Sequence, residues 1–303
     1  LMHAVATNTA TMQIGTMVPP LIFFLTSLTT DLTLSFTVIT AFAALSAVLP
    51  LMISIDGRAE SATTGKSRIR NIIDGLMYVK SHPILPGLYL LDVGVTIVSF
   101  YRQLFPIFAD QLYKGGRGTT SLLTWANSAG GLAGSLIVMF TRDYKAKGML
   151  VLWATLFYGF LLIAFGATTV LWIGMIMVIF LGATDAVGMT SRQAIVQLTT
   201  PDNMRGRASA AHSLAAMSAN GLGQAEVGFM SEQVGADQTM YIGGVISIVV
   251  VFLIWWLVKG VRQYRYIEVP SGAAIDGDYD GTPELPDWYI HEDRRDIDLR
   301  DLK

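Results

Sequence analysis

Runs such as LWIGMIMVIFLGATDAVGM (171–189) constrain this chain more than any other feature. That stretch has a single ionisable residue in about 20, the length a helix needs to cross the hydrocarbon core of a bilayer. Similar windows recur up to residue 259. They explain why only 15% of the 303 residues are charged, where a soluble domain carries about 25%. Barrel strands would be about 10 residues long and would alternate polar with apolar. Uninterrupted runs of twice that length read as helices, whose backbone groups find their partners within the segment. The pattern predicts an all-α membrane protein with eight transmembrane helices, at roughly 4–27, 33–54, 84–108, 119–140, 149–168, 170–190, 208–230 and 239–259.

The connections alternate in charge. Loop 55–83 carries Arg58, Lys66, Arg68, Arg70 and Lys80, loop 141–148 carries Arg142, Lys145 and Lys147, and loop 191–207 carries Arg192, Arg205 and Arg207. With Lys259, Arg262 and Arg265 after the last helix, 14 basic residues fall on one side. The opposite connections (28–32, 109–118, 169, 231–238) hold Lys114 and Arg117. The excess of Lys and Arg places the first set in the cytoplasm, and an even number of spans then places both termini there. In loop 55–83 a polar start gives way to IRNIIDGLMYVKSHP, with Ile69, Ile72, Ile73, Leu76, Met77 and Val79 on a helical period. This predicts an amphipathic helix along the cytoplasmic surface, stopped by His82-Pro83.

Several chemistries are excluded. There is no cysteine, so no disulfide or thiolate metal site exists. His3, His82, His212 and His291 are scattered, without the spacing of a metal centre. TGKS (64–67) resembles a phosphate loop only in part, because Glu60 stands where the motif needs glycine. No cofactor is expected. The net charge of −2 averages an acidic tail, with 11 Asp/Glu against 4 Lys/Arg from residue 268 onward, and a basic remainder. It implies no nucleic-acid partner, and the tail reads as solvated and disordered. The first residue is Leu and no basic n-region precedes the first apolar run. The chain therefore reads as one that begins partway through a longer protein, without a signal peptide.

The first helix with its turn (4–31) can be set over the seventh (209–237). Both open rich in small and Ser/Thr/Asn residues, and Met12 falls on Met217. Duplicated six-helix halves leave such echoes. The organisation expected is then 1–54 as the last two helices of an N-terminal half, 55–83 as the cytoplasmic inter-half loop, 84–259 as a complete six-helix C-terminal half, and 260–303 as the acidic tail.

Together with that layout, IRNIIDGLMYVKSHPILPGLYLLD (69–92), LFPIFADQLY (104–113) and QLTTPDNMRGRASAAHSL (197–214) resemble the major facilitator superfamily. The nearest branch is the one containing the enterobactin exporter and related drug and siderophore exporters. TRDYKAKG (141–148) is similar to the superfamily's cytoplasmic signature at Asp143 and Gly148, with Tyr144 where an Arg is usual. The resemblance implies a secondary transporter of the bacterial inner membrane that exports a siderophore- or drug-like small molecule against protons by alternating access. It also implies a cytoplasmic latch between Asp143 and Arg205 or Arg207. A monomer is expected for the full-length protein.

Ionisable residues inside the bilayer are costly and mark function by default. Asp92 and Arg102 in the third helix, Asp185 in the sixth and Glu226 in the seventh are the candidates for proton coupling or substrate contact. The alternative for each carboxylate is a fixed structural pair. Arg102 has three options: pairing with Glu226, contact with an anionic substrate, or reaching to the outer surface. Pro19-Pro20 and Pro106 can break or kink their helices. Gly130 and Gly134 have the spacing of close helix packing, and Gln103, Trp125, Asn127 and Asn220 are candidates for a substrate path. No ATPase motif is present, so energy comes from an ion gradient or a separate subunit. The competing functions are an importer of the same superfamily and a non-transporting scaffold or sensor. A membrane enzyme would need a His/Asp or Ser/His cluster, which the sequence lacks.

Overall fold

The computed structural model of the protein describes residues 2–27, 33–49, 68–141, 144, 146–200 and 202–264. Among these residues the architecture is helical throughout, without strands. The order is α1 (Met2–Ser27), α2 (Thr33–Val48), α3 (Arg68–Ser81), α4 (Leu85–Val98), a 3-10 turn (Tyr101–Leu104), α5 (Phe105–Ile107) running into a π turn (Phe108–Leu112), α6 (Gly116–Phe140), α7 (Lys147–Gly166), α8 (Leu171–Thr199), α9 (Asp202–Val234), α10 (Ala236–Leu257) and α11 (Lys259–Gln263). Five stretches among the described residues are long and apolar enough to cross a membrane: 85–112, 118–140, 147–166, 171–199 and 236–257. The first part of loop 55–83 and the acidic tail from 265 lie outside the described residues.

α9 falls outside that apolar set although it has 33 residues, about 50 Å of helix. His212, Asn220, Gln224 and Glu226 are spread around it among small residues. Leu214, Met217, Leu222 and Phe229 are exposed on the same helix, so α9 presents a mixed surface, polar in places and apolar in others.

Small residues let the helices approach closely. A Cβ on Gly130 would lie 2.0 Å from the Ile179 carbonyl oxygen, and one on Gly134 would lie 2.2 Å from that of Ala183. In return, a Cβ on Gly182 would meet the Asn127 carbonyl at 2.2 Å. The α6–α8 contact is thus backbone against backbone, the packing that small-residue spacing predicts. α7 and α10 meet in the same way through Gly159 and Gly244. Leucine at Gly134 must push α6 off α8, at a cost of about 1–3 kcal/mol or more. We expect Gly134→Leu to lower the thermal unfolding midpoint in detergent by several degrees. Gly221→Ala, where a Cβ meets nothing within 4 Å, should leave it unchanged; equal midpoints for the two variants would contradict the packing argument.

The segment expected as one helix over 84–108 is interrupted at Ser99–Leu104. Pro106 has no N–H for the carbonyl four residues back, that of Arg102, and its ring crowds that oxygen. The freed backbone is repartnered locally. Phe105 N–H donates to Arg102 O, and the Ser99 carbonyl accepts from Tyr101 N–H at 2.7 Å and from the Tyr158 hydroxyl at 2.9 Å. Pro19 and Pro20 behave differently, because α1 runs through both.

Two boundary expectations change. α8 continues to Thr199, well past the predicted end near 190. Arg192, assigned from the sequence to a cytoplasmic loop, is a buried residue of α8. Ala194, Ile195 and Val196 extend the buried face of the helix beyond it, and a carboxylate on another helix meets its charge. Lys147 likewise opens α7 and is 2% exposed. The amphipathic helix forms as expected, but it packs on protein as well as facing outward. Gly75 and Val79 are buried, with Gly75 against the Arg207 backbone, and the Tyr78 hydroxyl donates to Thr199 O at 3.3 Å. Ile73, Leu76 and Met77 remain exposed on the other side.

Candidate functional site

The helix break after α4 places a charged side chain where a regular helix would have pointed it elsewhere. Arg102 leaves the 3-10 turn and its Nη2 meets Asp185 Oδ2 of α8 at 2.5 Å. About two turns before the break, Asp92 of α4 accepts from Arg192 Nη2, also of α8, at 2.5 Å. Two ion pairs therefore join the same two stretches of chain, and all four residues line one cavity. The cavity, about 70 Å³, holds only a few waters.

The two pairs differ in exposure. The Arg192 and Asp92 side chains are 10% and 12% exposed, those of Arg102 and Asp185 47% and 33%. The inner pair is also incompletely partnered. Arg192 Nε and the neighbouring Thr190 Oγ1 have no hydrogen-bond partner among the described residues. Gly188, between Asp185 and Arg192, gives room for the guanidinium, whose Nη1 would lie 3.2 Å from a Cβ there. Arg192 therefore reaches back along α8 toward Asp185.

Aromatic hydroxyls complete the walls. The Tyr101 hydroxyl donates to Asn127 Oδ1 of α6, and its ring lies 6.0 Å from that of Tyr158 and 5.9 Å below the Arg102 guanidinium carbon. Ser99 donates to Val95 O at 2.6 Å. Asn220 brings α9 to the rim. Toward the start of α4, the Tyr89 ring is 5.0 Å from that of His212.

Of the residues expected from the sequence, Asp92, Asp185 and Arg102 come together in this cavity, and Asn220 joins them. Asn127 stands behind Tyr101. Arg102 takes Asp185 rather than Glu226 as its partner. Glu226 is half-buried on α9, outside the cavity, with Oε2 lacking a hydrogen-bond partner among the described residues. Trp125 Nε1 is in the same condition. Asp143 lies outside the described residues, as does the Arg205 side chain. Arg207 is half-buried at the start of α9, its backbone under Gly75.

Arg192, Tyr101 and Tyr158 were not expected at the site. For Arg192 a signal existed: it is seven residues from Asp185, on the same helical face, and apolar residues resume after it. Among the described residues, no group of His, Asp and Glu is arranged to hold a metal ion.

A family model described as transmembrane secretion effector matches residues 1–267. The enterobactin exporter of Citrobacter koseri is 22% identical over 276 residues, covering 91% of this chain and 66% of the relative. The enterobactin exporter of Escherichia coli O157:H7 is 23% identical over 278 residues, with 91% and 66% covered. That of Shigella boydii serotype 18 is 22% identical over 277 residues, with 91% and 65% covered. The chain thus spans about two thirds of the length of the curated relatives it matches.

Proposed function

The chain belongs to the transmembrane secretion effector family of major facilitator transporters, and from that membership we propose that it exports a siderophore- or drug-like small molecule in exchange for protons. The eight predicted helices, with both termini cytoplasmic, form in this reading the last two helices of one half and the complete second half, set in a bacterial inner membrane. The half-bundles rock around a site at mid-depth, and the site faces each side in turn.

The observation that carries the reading is the double ion pair of Asp92–Arg192 and Arg102–Asp185 between α4, the turn after it and α8. Charges in a bilayer are kept only where they are paired, watered or used. An ion pair between two stretches of chain is also a junction with two states. Protonating the carboxylate releases the arginine, and losing the proton restores the pair. Such a junction converts proton binding into a change of helix contact, which a proton-driven exporter requires. Asn220 of α9 at the cavity rim, with Gln224 one turn on, supplies a polar face for an aqueous route. That the relatives are named enterobactin exporters makes enterobactin the first cargo to try.

Proteoliposomes with an imposed pH gradient test this, loaded in turn with enterobactin and with amphipathic drugs. Efflux of at least one cargo should follow the gradient, and Asp92→Asn and Asp185→Asn should each reduce it by about tenfold or more, the scale of one lost ionisable switch. Wild-type efflux from both variants would remove these carboxylates from coupling. No gradient-driven movement of any cargo would remove the exporter reading.

A further inference from the structure

We propose that Arg102 is the receptor for an anionic group of the transported molecule, and that Asp185 occupies the receptor when no ligand is bound. The inference rests on the reading that the chain moves a small molecule, and it names the chemistry that molecule carries.

Of the two arginines in the cavity, Arg102 is the more exposed. Its side chain is 47% exposed and its partner's 33%, against 10% and 12% for the inner pair. Asp185 meets it through one nitrogen and one oxygen. A guanidinium is a planar fork suited to two parallel bonds with a carboxylate or similar planar oxyanion. An incoming anion free to orient itself can therefore bind Arg102 better than Asp185, which is tethered to α8, does. The tether makes Asp185 a competitor that can be displaced.

Displacement does not strand Asp185. Arg192 lies seven residues on along the same face of α8, and its Nη1 rests over Gly188, about one turn from Asp185. With five donors, Arg192 can hold Asp92 and accept Asp185 as well. The cluster thus has a second cation ready for the carboxylate that the ligand expels.

The surroundings narrow the ligand further. The cavity of about 70 Å³ admits one functional group and excludes a whole siderophore- or drug-sized molecule. Phe100 lines the cavity beside the guanidinium, with the buried Tyr101 ring beneath it and Tyr158 behind. An aromatic or ring-borne oxyanion fits that wall, with its ring at the mouth and its oxygens on Arg102.

The test is equilibrium binding to the purified chain in detergent by titration calorimetry. Benzoate serves as the anionic probe and benzamide as its neutral isostere. Benzoate should bind and benzamide should not. Asp185→Asn removes the competing charge and should tighten benzoate about tenfold. The double variant R102Q/D185N, which removes the whole pair and leaves no stranded carboxylate, should lose benzoate. Benzamide binding as well as benzoate would overturn the proposal. So would benzoate that binds D185N no more tightly than wild type, that still binds R102Q/D185N, or that binds neither wild type nor D185N. None of these measurements needs a vesicle or a gradient, so failure here leaves the transport reading to its own assay.

Discussion

Replacing Arg192 with methionine is expected to lower the unfolding midpoint of the detergent-solubilised protein by about 5–10 °C, the scale of a stranded buried charge. The Asp92 and Arg192 side chains are 12% and 10% exposed, and the loss leaves Asp92 buried without its cation. Removing one member of a buried pair is costly because the survivor keeps its desolvation penalty and loses its compensation. The double variant D92L/R192M should recover the midpoint to near the wild-type value. The pair is a poor stabiliser as built, since the buried Arg192 Nε has no partner among the described residues, and apolar side chains of similar size remove that unsatisfied nitrogen together with both charges. The same double variant should fail in gradient-driven efflux. A stable protein without transport means the pair is kept for its switching. A double variant as unstable as R192M would instead make it a fixed structural clamp.

That distinction could not be read from the sequence, and the reason is specific. Charge-free windows located the helices because a bilayer imposes length and composition on each segment separately. The amphipathic helix and the break before Pro106 were legible for the same local reasons. The pairing of charges between helices is a non-local fact. Arg192 counts as a cytoplasmic cation when charges are tallied along the chain. It becomes a core residue only when Asp92, a hundred positions earlier, is brought against it. Arg102 has the same history: the sequence placed it in the membrane and left its partner open among Glu226, a substrate and the outer surface, whereas the fold supplies Asp185. Gly130 and Gly134 show the boundary between the two kinds of information. Their spacing announced close packing, and the carbonyls they touch on the facing helix depend on which helix arrives.

Glu226 carries the second large expected effect. Glu226→Gln should reduce gradient-driven efflux by about tenfold or more while preserving exchange of cargo across vesicles with no gradient. Gln has the size and hydrogen-bonding reach of the protonated carboxyl, so the variant copies one of the two states a proton carrier must visit and forbids the other. In the fold, one oxygen of Glu226 is buried on α9 without a hydrogen-bond partner among the described residues. An uncompensated charge in the bilayer costs several kcal/mol. The ionised form therefore needs water or a cation that only another arrangement of the helices can bring. Three residues earlier, Gly223 lies against the Thr96 carbonyl, and two residues later Gly228 has open space around it. α9 is thus anchored to α4 on one flank of Glu226 and unencumbered on the other, a place where access can change without breaking the packing. Exchange without a gradient needs only the loaded carrier to reorient, and the neutral side chain allows that. Net efflux needs a proton to board on one side and leave on the other, and glutamine has none to give. If E226Q pumps as wild type does, the proton is carried elsewhere, and Asp92 and Asp185 become its remaining candidates among the described residues. If E226Q loses exchange as well as pumping, the residue shapes the path rather than the coupling.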